Sequence, residues 1–148
     1  MTYISEKLVN LIENSAVALT NNWIKDINKS DTTSTYHNYP EEELYKRGYN
    51  VISSLGKWIS HQTTKDKIGV HYKKLGEKRR SEGFSLSEVI SALAMLRRQI
   101  WLKVLSDGVL DTALDLHQAL ELNNRVVLYF DRAAYFIAVG YETADWPD

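Results

Sequence analysis

The sequence predicts an all-α fold, and three observations predict it. Apolar residues recur at three- and four-residue intervals over most of the 148 positions. Only two prolines, Pro40 and Pro147, stand in the way of long helices. No strict apolar/polar alternation of strand type is sustained anywhere. We expect about five helices in a single domain spanning 1–148, with a core over about 5–141 and a frayed tail at 142–148.

The first helix is expected from Thr2 or Ser5 to Asn28. Leu8, Ile12, Ala16, Leu19, Trp23 and Ile27 lie on its inward face. Lys29–Thr35 is a polar loop of poor helix formers. Pro40 suits the first turn of a second helix, and Glu41, Glu42 and Glu43 complement the positive end of its dipole. That helix reaches about His61, with Leu44, Val51, Leu55 and Trp58 inward and Gly48 placed for a close crossing. Thr64 caps a third helix over about Lys65–Glu82, which turns Ile68, Tyr72 and Leu75 inward. This helix is the basic part of the chain, through Lys65, Lys67, Lys73, Lys74, Lys78, Arg79 and Arg80. It reads as a solvated face or as a surface for an anionic partner.

Gly83 stands where a C′ glycine ends a helix. Phe84 precedes Ser85 as a hydrophobic staple would, and Ser85 with Glu88 has the spacing of a capping box. A fourth helix follows to about Leu105, its stripe made by Leu86, Ile90, Leu93, Ile100 and Val104. Arg97 falls within that stripe, so a permanent charge is expected on a core-facing surface. Ser106-Asp107-Gly108 is turn chemistry. The fifth helix runs from about Val109 to Tyr141 and would be about 45 Å long at 1.5 Å per residue. Leu116, Leu120, Val127, Phe130, Ala134, Ile137 and Tyr141 mark its expected buried side, with Asn123 among them.

Composition sets limits on function. Hydrophobic residues make up 44% and charged residues 25%, as in a globular domain rather than a disordered or membrane-embedded one. A net charge of −1 gives no global attraction to nucleic acid or to an anionic membrane. The absence of cysteine excludes disulfides and thiolate metal sites, and the start Met1–Lys7 does not read as a signal peptide. Neither a membrane partner nor a nucleic-acid partner is expected, and the localisation is expected to be cytoplasmic.

Chemistry-bearing motifs are few. None of His37, His61, His71 and His117 has zinc-ligand spacing, and only His71 flanks an inner stripe, where it would be the one candidate axial haem ligand. Nucleophile elbows, glycine-rich phosphate loops and Walker motifs are missing. The acidic pair Asp111 and Asp115 belongs to an outer face. Catalysis, a metal and a resident cofactor are therefore not expected. A buried Arg97 would need a partner, because an isolated buried charge costs several kcal/mol. It pairs with a carboxylate such as Asp131, holds an acidic ligand, or lines a dimer contact. Asn123 satisfies a backbone group or a ligand.

The run Gly76–Leu93, continuing into Leu96-Arg97-Arg98-Gln99-Ile100-Trp101, together with Tyr129-Phe130-Asp131-Arg132-Ala133 and Gly140-Tyr141, resembles the N-terminal sensor domain of the RsbT co-antagonist (RsbR-like stressosome) proteins. Similar domains precede histidine kinases. The resemblance covers about Leu8 to Tyr141. It implies a globin-like or bundle-like all-α domain, typically haem-free, that dimerises and passes a signal through its last helix. Only seven residues follow Tyr141 in this sequence, which reads as a free-standing regulator or as an excised sensory domain of the usual architecture with a following STAS or kinase domain. The expected function is a non-enzymatic sensory or regulatory domain of bacterial stress or two-component-type signalling. It would be a homodimer, able to bind a small ligand and a protein partner. Phe130, Tyr135, Phe136 and Tyr141 are the candidates for the dimer or signal helix. The alternatives are a haem- or small-ligand-binding globin-like protein and a basic-surface binder of an anionic partner.

Overall fold

A computed structural model describes residues 5–60, 62–107 and 110–143. The expected end of the second helix at His61, Gly108 of the turn, the expected start of the fifth helix at Val109, and the tail from Ala144 lie outside the described residues, as does a helix start at Thr2. Among the described residues every regular element is helical. These are α1 (Glu6–Asn14), α2 (Ala16–Lys29), a 3-10 segment (Asp31–Asn38), α3 (Glu41–Ser53), α4 (Leu55–Ile59), α5 (Lys65–Ser81), α6 (Leu86–Asp107) and α7 (Ala113–Thr143). No helix among the described residues is long and apolar enough to cross a membrane.

Two of the five expected helices are each broken into two. The Ser15 hydroxyl donates to the Leu11 carbonyl at 2.8 Å and separates α1 from α2. A serine bonding back to the preceding turn in this way bends a helix. Ser54, at φ −117° and ψ 20°, separates α3 from α4. Residues 31–38, expected as loop, wind instead into a 3-10 turn that buries Thr33 and Tyr36. Thr33 donates to the Ile27 carbonyl at 2.7 Å, so the turn is tied to the end of α2.

Helix ends follow the sequence signals where the capping chemistry is local. The Ser5 and Thr64 hydroxyls accept from the amides of Leu8 and Lys67, at 3.3 and 3.2 Å. Gly83 adopts φ +92°, with its N–H on the Arg80 carbonyl and the Phe84 N–H on the Arg79 carbonyl. These are the paired bonds of a Schellman cap, which requires a left-handed residue. The Ser85–Glu88 capping box does not form. Glu88 instead accepts from the Thr35 amide at 2.8 Å and the Thr35 hydroxyl at 2.9 Å, anchoring the 3-10 segment to α6.

The helices surround one hydrophobic cluster, with Ile12, Ile27, Leu44, Ile52, Leu55, Ile100 and Leu122 fully enclosed. Gly48 brings α3 onto α2, where a Cβ would fall 2.7 Å from the Trp23 ring. The most extensive pairing is between α5 and α7. There Gly76 lies against the Ile137 carbonyl and Gly140 against the Lys73 carbonyl, so close that a methyl group on either glycine would overlap the opposing backbone. α7 also packs on α6, and α6 on α2, α1 and the 3-10 segment. Thirty-one residues at 1.5 Å each make α7 about 46 Å long. It continues through Glu142 and Thr143, which were expected in the frayed tail.

Candidate functional site

The most deeply buried charged side chain among the described residues is not Arg97 but Arg79, a member of the basic run on α5. The side chain of Arg79 is 8% exposed. Its Nη1 donates to Glu82 Oε1 at 3.0 Å, while Arg47 Nη2, from α3, donates to Glu82 Oε2 at 2.9 Å. The Tyr39 hydroxyl donates to the same Glu82 oxygen at 2.9 Å, and the Arg47 guanidinium lies 4.6 Å from the centre of the Tyr39 ring. One carboxylate thus serves two guanidiniums. Arg47 Nη1 is buried and has no hydrogen-bond partner. Burial pushes the Arg79 pKa down and the like charge of Arg47 adds to this, while Glu82 opposes both. For Glu82, burial acts upward, but the Tyr39 hydrogen bond and the charges of Arg79 and Arg47 outweigh it and leave the carboxyl below its ordinary value.

Arg47 and Arg79 line a partly open cavity of about 80 Å³ between the 3-10 segment, α2, α3, α5, α6 and α7. Its remaining walls are mostly apolar, among them Trp23, Val51, Val89, Ala92, Leu96 and Ile137, with the buried Tyr36 and Tyr72. Tyr36 stacks on Phe84 at 4.3 Å between ring centres. Tyr72 is hydrogen-bonded to Tyr129, and burial pushes its hydroxyl up to about 12. Leu75 and Arg79 also line a surface groove of about 660 Å³ along α5, together with Lys67, Lys74, Lys78 and His71. His71 therefore belongs to the outer groove and is not among the residues lining the inner cavity. Partial burial and the charge of Arg79 lower its pKa, and its ring centre lies 4.9 Å from that of Trp58.

The second feature is the outer face of α6 and α7. Arg97 is 39% exposed rather than buried, and its Nη1 lies 3.8 Å from Oδ1 of Asp131, which is 66% exposed. The two side chains form a long, partly exposed ion pair, and Arg97 does not lie on the core-facing surface expected of it. On α6 the core side is centred on Val89, Ala92, Leu96 and Ile100, about 70° round from the Leu86–Arg97 stripe. Leu86, Ile90 and Leu93 are consequently only half-buried. α7 shows the same rotation. Ala119, Leu122, Val126, Ala133 and Ile137 face the core, while Leu116 and Leu120 are 50% and 52% exposed. A groove of about 600 Å³ between the two helices brings Arg97 and Asn123 together with Ala94, Trp101 and Val127.

The chain matches no family model, no curated protein and no solved structure.

The aromatic residues assigned to a dimer or signal helix separate into two groups. Phe130 and Tyr141 are core residues, and the Tyr141 hydroxyl donates to the Phe84 carbonyl at 2.7 Å. Phe136 is half-buried against Gly69. Only Tyr135, at 63%, is exposed. A helix end rich in aromatics is therefore not itself an exposed patch, because Phe130 and Tyr141 are core residues and α5 offers Gly69 in place of bulk beside Phe136. The Arg79 cluster went unnoticed because six other cations surround it in the sequence. Its one local signal is the i,i+3 spacing to Glu82, just ahead of the Gly83 stop.

Proposed function

We propose that this domain is a non-enzymatic sensory or regulatory module, globin-like in its arrangement around a central cavity, that pairs with a second copy through the outer face of α6 and α7. One observation carries the pairing. The apolar stripes of these two helices are centred on a face that one chain leaves half open, with Trp101, Leu105, Leu116, Leu120 and Val127 along it. Exposed apolar side chains gathered on one face in this way mark an interface. Arg97 and Asp131 carry opposite charges on the same face, so a two-fold arrangement can set each against its counterpart in the other copy. The resemblance to RsbT co-antagonist sensor domains supports a role in bacterial stress or two-component-type signalling.

The test is a mass measurement by light scattering at micromolar concentration. The wild-type chain should run at twice its 17.0 kDa. Leu120→Glu should run at the single-chain mass with unchanged helicity, because residue 120 is already half exposed in one chain. A monomeric wild-type protein would overturn the pairing. A second reading, a basic-surface binder, has the lysine-lined groove of α5 in its favour. It predicts polyanion binding that weakens steeply with salt.

A further inference from the structure

We propose that the surface groove along α5 is a docking site for an acidic, amphipathic helix of a partner protein. Its apolar side would rest on Val70 and Leu75, and its carboxylates on Lys67, Lys74 and Lys78. At 100° per residue, Lys74 and Lys78 lie within about 20° of the line through Lys67. Gly69 and Gly76, which meet α7, lie about 180° from that line, so the lysine stripe points away from the α7 contact. Beside the lysines stand Val70, 60% exposed, and the half-buried Leu75. All five residues line one groove of about 660 Å³. From Lys67 to Lys78 the stripe is about 16 Å long, which matches about three turns of a second helix.

Charge decides the sign of the partner. α5 carries seven cations against two acids, Asp66 and Glu77. Lys46 and Lys103, on α3 and α6, pair with acids on their own helices. Lys67, Lys74 and Lys78 form no ion pair among the described residues. Lys67 has no acid three or four residues away on either side. The acid four residues after Lys78 is Glu82, which is already engaged by Arg47 and Arg79. A row of carboxylates supplies the missing counter-charge, while the lysine stems lie along apolar surface. The partner is a helix because the described residues offer no strand edge for an extended peptide to join. Side chains spaced by three and four residues instead match a row of the same spacing. Nucleic acid is less well served, since no Phe, Tyr or Trp lines the groove for a base to stack on. The inference rests on the second reading above, a basic surface with an anionic partner, and names the kind of partner. It is independent of the pairing of two copies through α6 and α7.

The experiment is a fluorescence-anisotropy titration of the full chain with a labelled helical peptide. The peptide has about sixteen residues, enough to cover the stripe, with leucines along one face and glutamates beside them. The comparison ligands are a scrambled peptide of the same composition with no apolar face, a peptide with lysine in place of glutamate, and duplex DNA of random sequence. The acidic amphipathic peptide should bind one per chain. The scrambled and the lysine peptides should each bind at least about ten-fold more weakly, for want of the apolar face and of the charge-assisted bonds respectively. Val70→Glu and Lys74→Glu should each weaken the acidic peptide at least about ten-fold with unchanged circular dichroism, since both side chains are already exposed. Lys73→Glu makes the same charge change on α5 outside the groove and should alter binding by less than about three-fold. The inference is overturned if the scrambled peptide binds equally, or if Lys73→Glu does as much damage as Lys74→Glu. It is overturned too if Val70→Glu lowers the mass seen by light scattering, because a second copy of the chain then fills the groove. DNA that binds more tightly than the acidic peptide would sink this inference and leave the basic-surface reading standing. Binding of neither would end both.

Discussion

Glu82→Gln is the substitution that best tests the polar interior. Glutamine keeps the volume and one acceptor oxygen but removes the only charge that Arg47 and Arg79 share. Two guanidiniums, with side chains 17% and 8% exposed, would then face each other unopposed. Two unit charges held about 6 Å apart by a common partner repel by about 3 kcal/mol at an effective dielectric near 20. Breaking a buried pair from one side costs about 3–5 kcal/mol, and the 18% exposure of Glu82 favours the lower end. We expect a loss of about 3 kcal/mol near pH 7, or about 6–12 °C in Tm for a chain of this size. Urea melts followed by far-UV circular dichroism would measure it.

The pH dependence supplies the second half of that test. The Glu82 carboxyl sits below its ordinary value of 4.5 in the folded state. A depressed folded pKa gives stability that is fully present above the unfolded value and lost as pH falls through the folded one. Wild type and Glu82→Gln should therefore differ most at neutral pH and converge only once the pH has fallen through the depressed Glu82 pKa, where wild type itself loses the charge. A difference under about 1 kcal/mol at pH 7, or one that stays constant on acidification, would show that Glu82 does not neutralise the two arginines.

Two other predictions bear on the helix contacts. Gly140→Ala should cost about 3 kcal/mol or prevent folding, because the added methyl meets the Lys73 backbone and no rotamer can relieve it; thermal melts with Val139→Ala as a control would measure the difference. Arg97→Ala and Arg98→Ala should each change stability by less than about 1 kcal/mol, since Arg97 is 39% exposed and its contact with Asp131 is long; a loss near 3 kcal/mol for Arg97→Ala would mean that it is enclosed after all.

The sequence made the helices legible because their signals are local. Ser5, Thr64 and Gly83 do at their helix ends what their side chains and φ preference dictate. The inward face of the first expected helix, Leu8 to Ile27, is buried throughout. The phase of α6 and α7 was not legible. Each has apolar residues on two adjacent faces, one toward the core and one toward the outer face. Periodicity reports the average direction of the two, which placed Arg97, Leu116 and Leu120 inside. Arg79 was hidden for the opposite reason, since a run of cations looks solvated until Arg47, more than thirty positions earlier, is brought beside it. Glu88 had two competing partners, and the long-range one, Thr35, won over the cap.

The glycine crossing between α5 and α7 also has a mechanical meaning. A contact made of backbone against backbone contains no rotamers, so it has no soft mode to absorb a displacement and no side-chain entropy to lose. The same segment of α7 is fastened again beyond the crossing, where Arg80 Nη1 donates to the Tyr141 carbonyl at 2.5 Å and the Tyr141 hydroxyl reaches Phe84. α5 and the second half of α7 are thus joined by contacts that no side-chain rearrangement can loosen.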